Sequence, residues 1–142
     1  MEYVSRSVAQ TEKIAQDLAQ PFTGGECVAL HGNLGAGKTQ FVRGIIRALG
    51  GNPRSVSSPT FVLLNVYPGG RLTVYHLDAY RVAGSEDFES IGFAELLEQG
   101  GVVVVEWASK VSTLLPQNAI HVQIEPVDQT TRNIAIQLPT AK

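Results

Sequence analysis

The stretch Gly32-Asn33-Leu34-Gly35-Ala36-Gly37-Lys38-Thr39 places two glycines around four intervening residues and follows them with Lys and a hydroxyl side chain. That order is the phosphate-binding loop pattern. Glycine lets successive backbone N–H groups curl toward phosphate oxygens in conformations that a Cβ opposes. Lys38 supplies a mobile positive charge for the outer phosphates, and the Thr39 hydroxyl suits a Mg2+ ligand. The candidate nucleotide-binding residues are therefore Asn33, Leu34, Gly35, Ala36, Gly37, Lys38, Thr39 and Gln40. Upstream, Cys27-Val28-Ala29-Leu30-His31 is a short, mostly apolar run that predicts a buried strand. Downstream, Phe41, Val42, Ile45, Ile46 and Leu49 recur at helical spacing with Arg43 and Arg47 between them, and Gly50-Gly51 stops the helix. Strand, glycine loop and helix aim a helix N-terminus at a phosphate.

The 142 residues predict one domain over 1–142 with a core of its own. An apolar fraction of 44% against 17% charged argues against disorder. The net charge of −2 offers no broad basic field, so an unaided grip on RNA is not expected. Cys27 is the one cysteine, which excludes an internal disulfide, and its place in a strand predicts a buried structural thiol. Met1 to Arg6 lack the basic segment and apolar core of a secretory signal, and no apolar run reaches membrane-spanning length. A cytoplasmic protein with no membrane partner is the expectation.

Outward from the loop, Ser7 and Gln10 form a capping box that opens a helix through Ala19, with Val8, Ile14, Ala15 and Leu18 on its apolar side. Pro21 and Gly24-Gly25 separate it from the loop strand. After a polar loop from Ser55 to Thr60, Phe61–Tyr67 and Leu72–Asp78 read as a hairpin around Pro68-Gly69-Gly70-Arg71. Pairing Tyr67 with Leu72 sets Phe61 opposite Asp78 and brings Thr60 and Asp78 to the open end. Ser85 with Glu86 and Asp87 starts a short helical segment, and Phe93 to Gln99 supplies another, stopped by Gly100-Gly101. Val102-Val103-Val104-Val105-Glu106 is a β-branched run without alternation, which predicts a strand covered on both faces in a parallel sheet. Ile120–Ile124 and Ile134–Leu138 read as a closing hairpin. The predicted fold is α/β, a mixed sheet flanked by helices in the manner of P-loop NTPases.

A phosphate loop alone binds; hydrolysis also needs a metal-organising acid and a group that positions water. Asp78 and Glu106 both end predicted strands where such acids work. Glu106 has the more apolar strand before it, and Asp78 has the shorter side chain for a close metal contact, so either can be the Mg2+ ligand. Each has an ordinary alternative, a turn start for Asp78 and a solvated strand end for Glu106. Lys38, Asp78 and Glu106 are the candidate catalytic residues, and Thr39, Asp78 and Glu106 the candidate metal ligands. Thr60 resembles a γ-phosphate-sensing switch threonine, with a turn role as its alternative. Trp107 covers the site or docks a partner, or packs in the core. Arg81 is a phosphate or partner candidate, or a surface ion pair, and His76 reads as a packed histidine rather than a catalyst.

Taken in order, Gly32–Thr39, Ser58-Pro59-Thr60-Phe61, His76-Leu77-Asp78-Ala79-Tyr80-Arg81 and Val105-Glu106-Trp107 resemble the TsaE (formerly YjeE) family over essentially the whole chain. The glycine loop is shared with very many proteins; the other three motifs at these spacings are far more specific. The resemblance implies a P-loop ATPase, Mg2+-dependent, that supports threonylcarbamoyladenosine formation on tRNAs reading ANN codons. It implies TsaD and TsaB as protein partners, with tRNA contact weak or indirect, and ATP turnover that is weak alone and partner-dependent. By motif match Lys38 and Thr39 serve phosphate and Mg2+, Thr60 falls in a switch-like segment, Asp78 in a Walker-B-like segment, and Glu106-Trp107 in a segment linked to hydrolysis. Asn33 stands where an acid is common in the family and Gln40 where a second Thr is common, which puts an α-phosphate contact from position 40 in doubt. ATP over GTP is implied by the resemblance; the absence of an Asn-Lys-x-Asp guanine-reading motif agrees. Two rivals stand beside this reading. A small-molecule or nucleotide kinase needs a lid of several arginines, yet only Arg81 is basic between Asp78 and Glu106. A nucleotide-gated binding module would need no hydrolysis at all.

Overall fold

The computed structural model describes residues 1–32, 37–56, 64–79 and 92–139. Among them, seven strands form one sheet: β1 (Glu2–Ser5), β2 (Cys27–His31), β3 (Leu64–Tyr67), β4 (Val74–Asp78), β5 (Val102–Glu106), β6 (Ile120–Pro126) and β7 (Arg132–Gln137). Their spatial order is β1-β7-β6-β2-β5-β4-β3. The central four, β6, β2, β5 and β4, run parallel, while β3, β7 and β1 add antiparallel edges. Helices α1 (Val8–Ala19) and α2 (Lys38–Ala48) cover one face; the short α3 (Phe93–Leu97) and a 3-10 segment, Ala108–Leu114, lie on the other. This is the mixed sheet with flanking helices that the hydrophobic pattern predicts.

The valine strand shows why. Val102 and Val104 pack into the core beneath α1 and α2, whereas Val103 and Val105 enter the second core with Phe93 and Val111. All five residues of β5 are buried, so neither face tolerates a polar alternation. In β6 the pattern reverts to period two: Ile120, Val122 and Ile124 are buried while Gln123 and Glu125 are exposed. Cys27 lies in the second core, where burial pushes its thiol up to about 12. Its thiolate is therefore scarce at pH 8, and Ellman's reagent is expected to label Cys27 only when the chain unfolds; rapid native labelling would contradict the packing.

Ser7 caps α1, its Oγ accepting from Gln10 N–H at 3.1 Å, while Gln10 Oε1 accepts from Arg6 N–H at 2.6 Å. Two local expectations are corrected and one element is added. Val8 is 56% exposed rather than part of the apolar stripe, which instead runs through Thr11, Ala15 and Ala19 with Ile14 and Leu18 beside it. Residues 2–5, given no element from the sequence, form β1, whose partner β7 lies at the other end of the chain. The β3–β4 hairpin pairs Tyr67 with Val74, not Leu72, so its connection is two residues longer. The reason is tertiary. Arg71 N–H donates to Leu49 O at 2.7 Å, and its guanidinium donates to Phe22 O at 2.6 Å and Gln20 O at 2.9 Å, which draws the connection onto the ends of α1 and α2. Phe61, Thr60 and the helical segment from Ser85 lie outside the described residues.

Candidate nucleotide site

The site is assembled by β2, α2 and the C-terminal ends of β4 and β5. Gly37 precedes α2 at φ 108°, a left-handed conformation that glycine alone adopts without strain. A side chain there would also face Arg132 Nε and Gln40 Oε1, each 3.9 Å from the place a Cβ would take. Lys38 starts the helix, but its side chain folds back and is only 5% exposed. Its Nζ donates to Gly32 O at 2.8 Å, lies 3.8 Å from Glu106 Oε1, and sits 4.3 Å from the centre of the Trp107 ring. Burial holds its ammonium below the usual lysine range, while the Glu106 and Asp78 carboxylates pull it back up.

The two acids come together through strand register. β4 and β5 are parallel neighbours, and Asp78 stands opposite Glu106. Both are buried, at 4% and 3% exposure, which carboxylates tolerate only when paired or hydrogen-bonded. Glu106 Oε2 accepts from His76 Nε2 at 2.5 Å, and His76 Nδ1 lies 3.4 Å from Tyr67 Oη. Trp107 follows in the left-handed region at φ 57°, alone among the described non-glycine residues. Such a conformation costs of order 1 kcal/mol and persists where surrounding contacts enforce it; here it turns the chain sharply at the end of β5 and lays the indole against Lys38.

Beside Lys38 opens a cavity of about 570 Å³, within the size range of small-molecule sites. Lys38, Thr39, Gln40 and Glu106 are part of its lining. The start of α1, with Arg6, Val8 and Thr11, and the β6–β7 turn, with Thr130 and Arg132, contribute the rest of the lining. That turn is held by the Asp128 carboxylate, which accepts from the N–H groups of Thr130 and Thr131, both at 2.9 Å. Arg132 Nη1 donates to Asp128 O at 2.7 Å.

Of the residues singled out from sequence, the structure gathers Gly37, Lys38, Thr39, Gln40, Asp78, Glu106 and Trp107 around one end of the sheet. Asn33, Leu34, Gly35, Ala36, Thr60 and Arg81 lie outside the described residues. Sequence reasoning missed Arg6, Thr11 and Arg132 as cavity residues, because their approach depends on β1 and β7 pairing across the length of the chain. It also left His76 as packing, although its place one strand over from Glu106 was implicit in the two strands being neighbours.

A helix that starts at the lysine of a glycine loop, on a mixed sheet whose central strands are parallel and carry acids at the ends of two neighbours, marks a protein with a P-loop NTPase-like fold. The crystal structure of Bacillus subtilis YdiB superposes with a TM-score of 0.81 at 28% identity, covering 99% of this chain and 86% of that one. Residues 5–134 match the family of the threonylcarbamoyl adenosine biosynthesis protein TsaE, and the chain belongs to that family. It is 40% identical over 136 residues to the tRNA threonylcarbamoyladenosine biosynthesis protein TsaE of Treponema pallidum, covering 96% of this chain and 99% of that protein. The Bacillus subtilis protein of the same name is 37% identical over 88% of this chain and 77% of its own length. Among the described residues no helix is long and apolar enough to cross a membrane.

Proposed function

We propose that this chain is a Mg2+-dependent ATPase that supports threonylcarbamoyladenosine formation on tRNA, with turnover governed by the partner proteins TsaD and TsaB. The observation that carries the reading is Lys38, buried between Glu106 and Trp107 and lining a nucleotide-sized cavity. In this reading the loop and Lys38 take the phosphates, and the nucleoside lies between the start of α1 and the β6–β7 turn, where Arg6 and Arg132 add positive charge.

Two carboxylates and one hydroxyl suit Mg2+, which keeps several waters and shares its remaining positions with substrate phosphates. Thr39, Asp78 and Glu106 are the residues that would hold the ion: Thr39 and Glu106 line the cavity, and Asp78 stands opposite Glu106 in the strand register. The ion, when bound, neutralises charge on the phosphate oxygens. Glu106 keeps the role of orienting water or accepting its proton. Thr60 and Arg81 enter only by resemblance, as switch and partner candidates.

The test is ATP hydrolysis by the chain alone, then with TsaD and TsaB added. Strong stimulation supports the reading; flat turnover despite tight ATP binding favours a nucleotide-gated module. Glu106→Ala is expected to lower the stimulated rate by about 100-fold, the low end of what a positioned acid–base group contributes. The affinity for Mg-ATP should change little, and an unaltered rate would remove Glu106 from the mechanism.

A further inference from the structure

His76 has no exposed surface, yet it is an imidazole in a core that would accept leucine. Burying its two ring nitrogens is costly unless both find partners. Both do, and neither partner is backbone: Nε2 meets Glu106 Oε2 at 2.5 Å, and Nδ1 meets Tyr67 Oη at 3.4 Å. Tyr67 is itself 8% exposed, on β3, and its ring is tilted 41° to the imidazole at 6.0 Å. Three neighbouring strands thus hold one polar line, Tyr67 on β3, His76 on β4 and Glu106 on β5, which ends at Lys38.

We infer that His76, steadied by Tyr67, is the positioning residue that fixes the Glu106 carboxylate at the nucleotide site. The inference rests on the ATPase reading above. An ionised carboxylate only accepts, so the hydrogen of this pair sits on His76 Nε2. In the neutral ring Nδ1 is then an acceptor, and the Tyr67 hydroxyl donates to it. The chain therefore selects the tautomer, as a carboxylate or carbonyl does for a catalytic or metal-bound histidine.

The consequence lies in how Glu106 divides its oxygens. Oε1 faces Lys38 at 3.8 Å, while Oε2 is held at 2.5 Å. A carboxylate tied to Lys38 alone would follow the ammonium when it turns to a phosphate. Tied to His76, it keeps Oε1 on the cavity side, where Glu106 lines the wall. A histidine serving only to fill the core predicts instead that an apolar residue of similar bulk leaves turnover intact.

The experiment compares His76→Leu, His76→Gln and Tyr67→Phe in the chain with TsaD and TsaB, measuring kcat, KM, the Kd for Mg-ATP and the melting temperature. His76→Leu is expected to lower kcat by about 50-fold with Kd within about three-fold, the size of effect seen when an orienting partner is lost. His76→Gln, which restores an N–H near the Nε2 position, should recover most of that loss. A folded His76→Leu with the parental kcat, or a loss confined to KM, overturns the inference. Should His76→Leu fail to fold, Tyr67→Phe decides, because it keeps the ring in the core: a fall of about five-fold in kcat supports the relay and an unchanged kcat overturns it. Nitrogen spectra of the imidazole give a readout apart from turnover. The Nε2–H tautomer is expected, and the Nδ1–H form contradicts the line of hydrogen bonds. A parent chain that neither binds nor hydrolyses ATP fails differently, since it removes the ATPase reading itself and the inference with it.

Discussion

Lys38→Met is expected to weaken Mg-ATP binding by at least about 100-fold, or about 2.7 kcal/mol. The argument starts from what the ammonium touches. Gly32 O, Glu106 and the Trp107 ring hold it at one end of the cavity, within a side chain's swing of where phosphates would meet the start of α2. Burial disfavours its charge, and the Glu106 and Asp78 carboxylates favour it. A phosphate oxygen would add a charge-assisted contact in a poorly screened site, where such contacts are strong. Methionine keeps the unbranched stem and removes only the charge and donors. Lys38→Arg should not restore binding, because a planar fork does not fit a slot between a carbonyl, a carboxylate and an indole face.

The same variant carries a cost in the protein without nucleotide. Removing the cation leaves two buried carboxylates side by side on β4 and β5, and stripping one partner from a buried pair is destabilising by roughly 3–5 kcal/mol. The His76 donor to Glu106 lessens that figure. Melting temperature must therefore be read alongside affinity, and titration carried out well below the transition. Calorimetric titration giving Lys38→Met an affinity within three-fold of the parent would sink the nucleotide reading. Trp107 offers an internal probe, since a lysine leaving its ring face is expected to change the indole emission when Mg-ATP is added.

The parts of this site that are legible in the sequence are the local ones. The glycine loop is a run of eight residues, and Glu106 is announced by the four valines before it. Asp78 and Glu106 were placed by each strand's own pattern, and their meeting needed only that β4 and β5 be neighbours. The illegible parts are set by contacts between distant segments. His76 meets Glu106 across 30 residues, and Arg132 reaches the loop only because β7 pairs with β6 and β1. The β3–β4 register shifted for the same reason. Pro68-Gly69-Gly70-Arg71 is a sound local turn, but Arg71 spends its donors on the ends of two helices. Val8 shows a subtler limit. Its helical spacing is right for the core, yet at the first position of α1 it faces the cavity instead.

Gly44 is the position where a helix-propensity argument points the wrong way, and Gly44→Ala is expected to destabilise the protein by about 1–3 kcal/mol. In an exposed helix interior the same change would stabilise by roughly 0.5–1 kcal/mol. Here a Cβ would lie 2.2 Å from Glu12 O and 2.6 Å from Ala15 Cβ, so the crowding is against backbone and a short rigid side chain. Neither can rotate away; α1 as a whole must retreat from α2. That movement opens the packing around Ala15 and Ala19 and strains the Arg47–Glu12 ion pair, now 2.9 Å. For a chain of this size each kcal/mol lowers the melting temperature by roughly 3–4 °C, so a fall of about 3–12 °C is expected. Gly50→Ala is the control: its φ of 81° disfavours a side chain, but nothing lies within 4 Å, so its cost should be confined to backbone strain of about 1 kcal/mol. A Gly44→Ala variant that melts at or above the parent would show that the helices are not held this close. Function should feel the shift as well. Val8 and Thr11 ride on α1 and form a cavity wall, whereas Lys38, Asp78 and Glu106 are fixed by α2 and the sheet. Gly44→Ala should therefore weaken Mg-ATP binding by a few-fold, yet leave the affinity for inorganic triphosphate nearly unchanged, because Lys38 and Thr39, proposed for the phosphates, stand on α2 and not on the displaced helix.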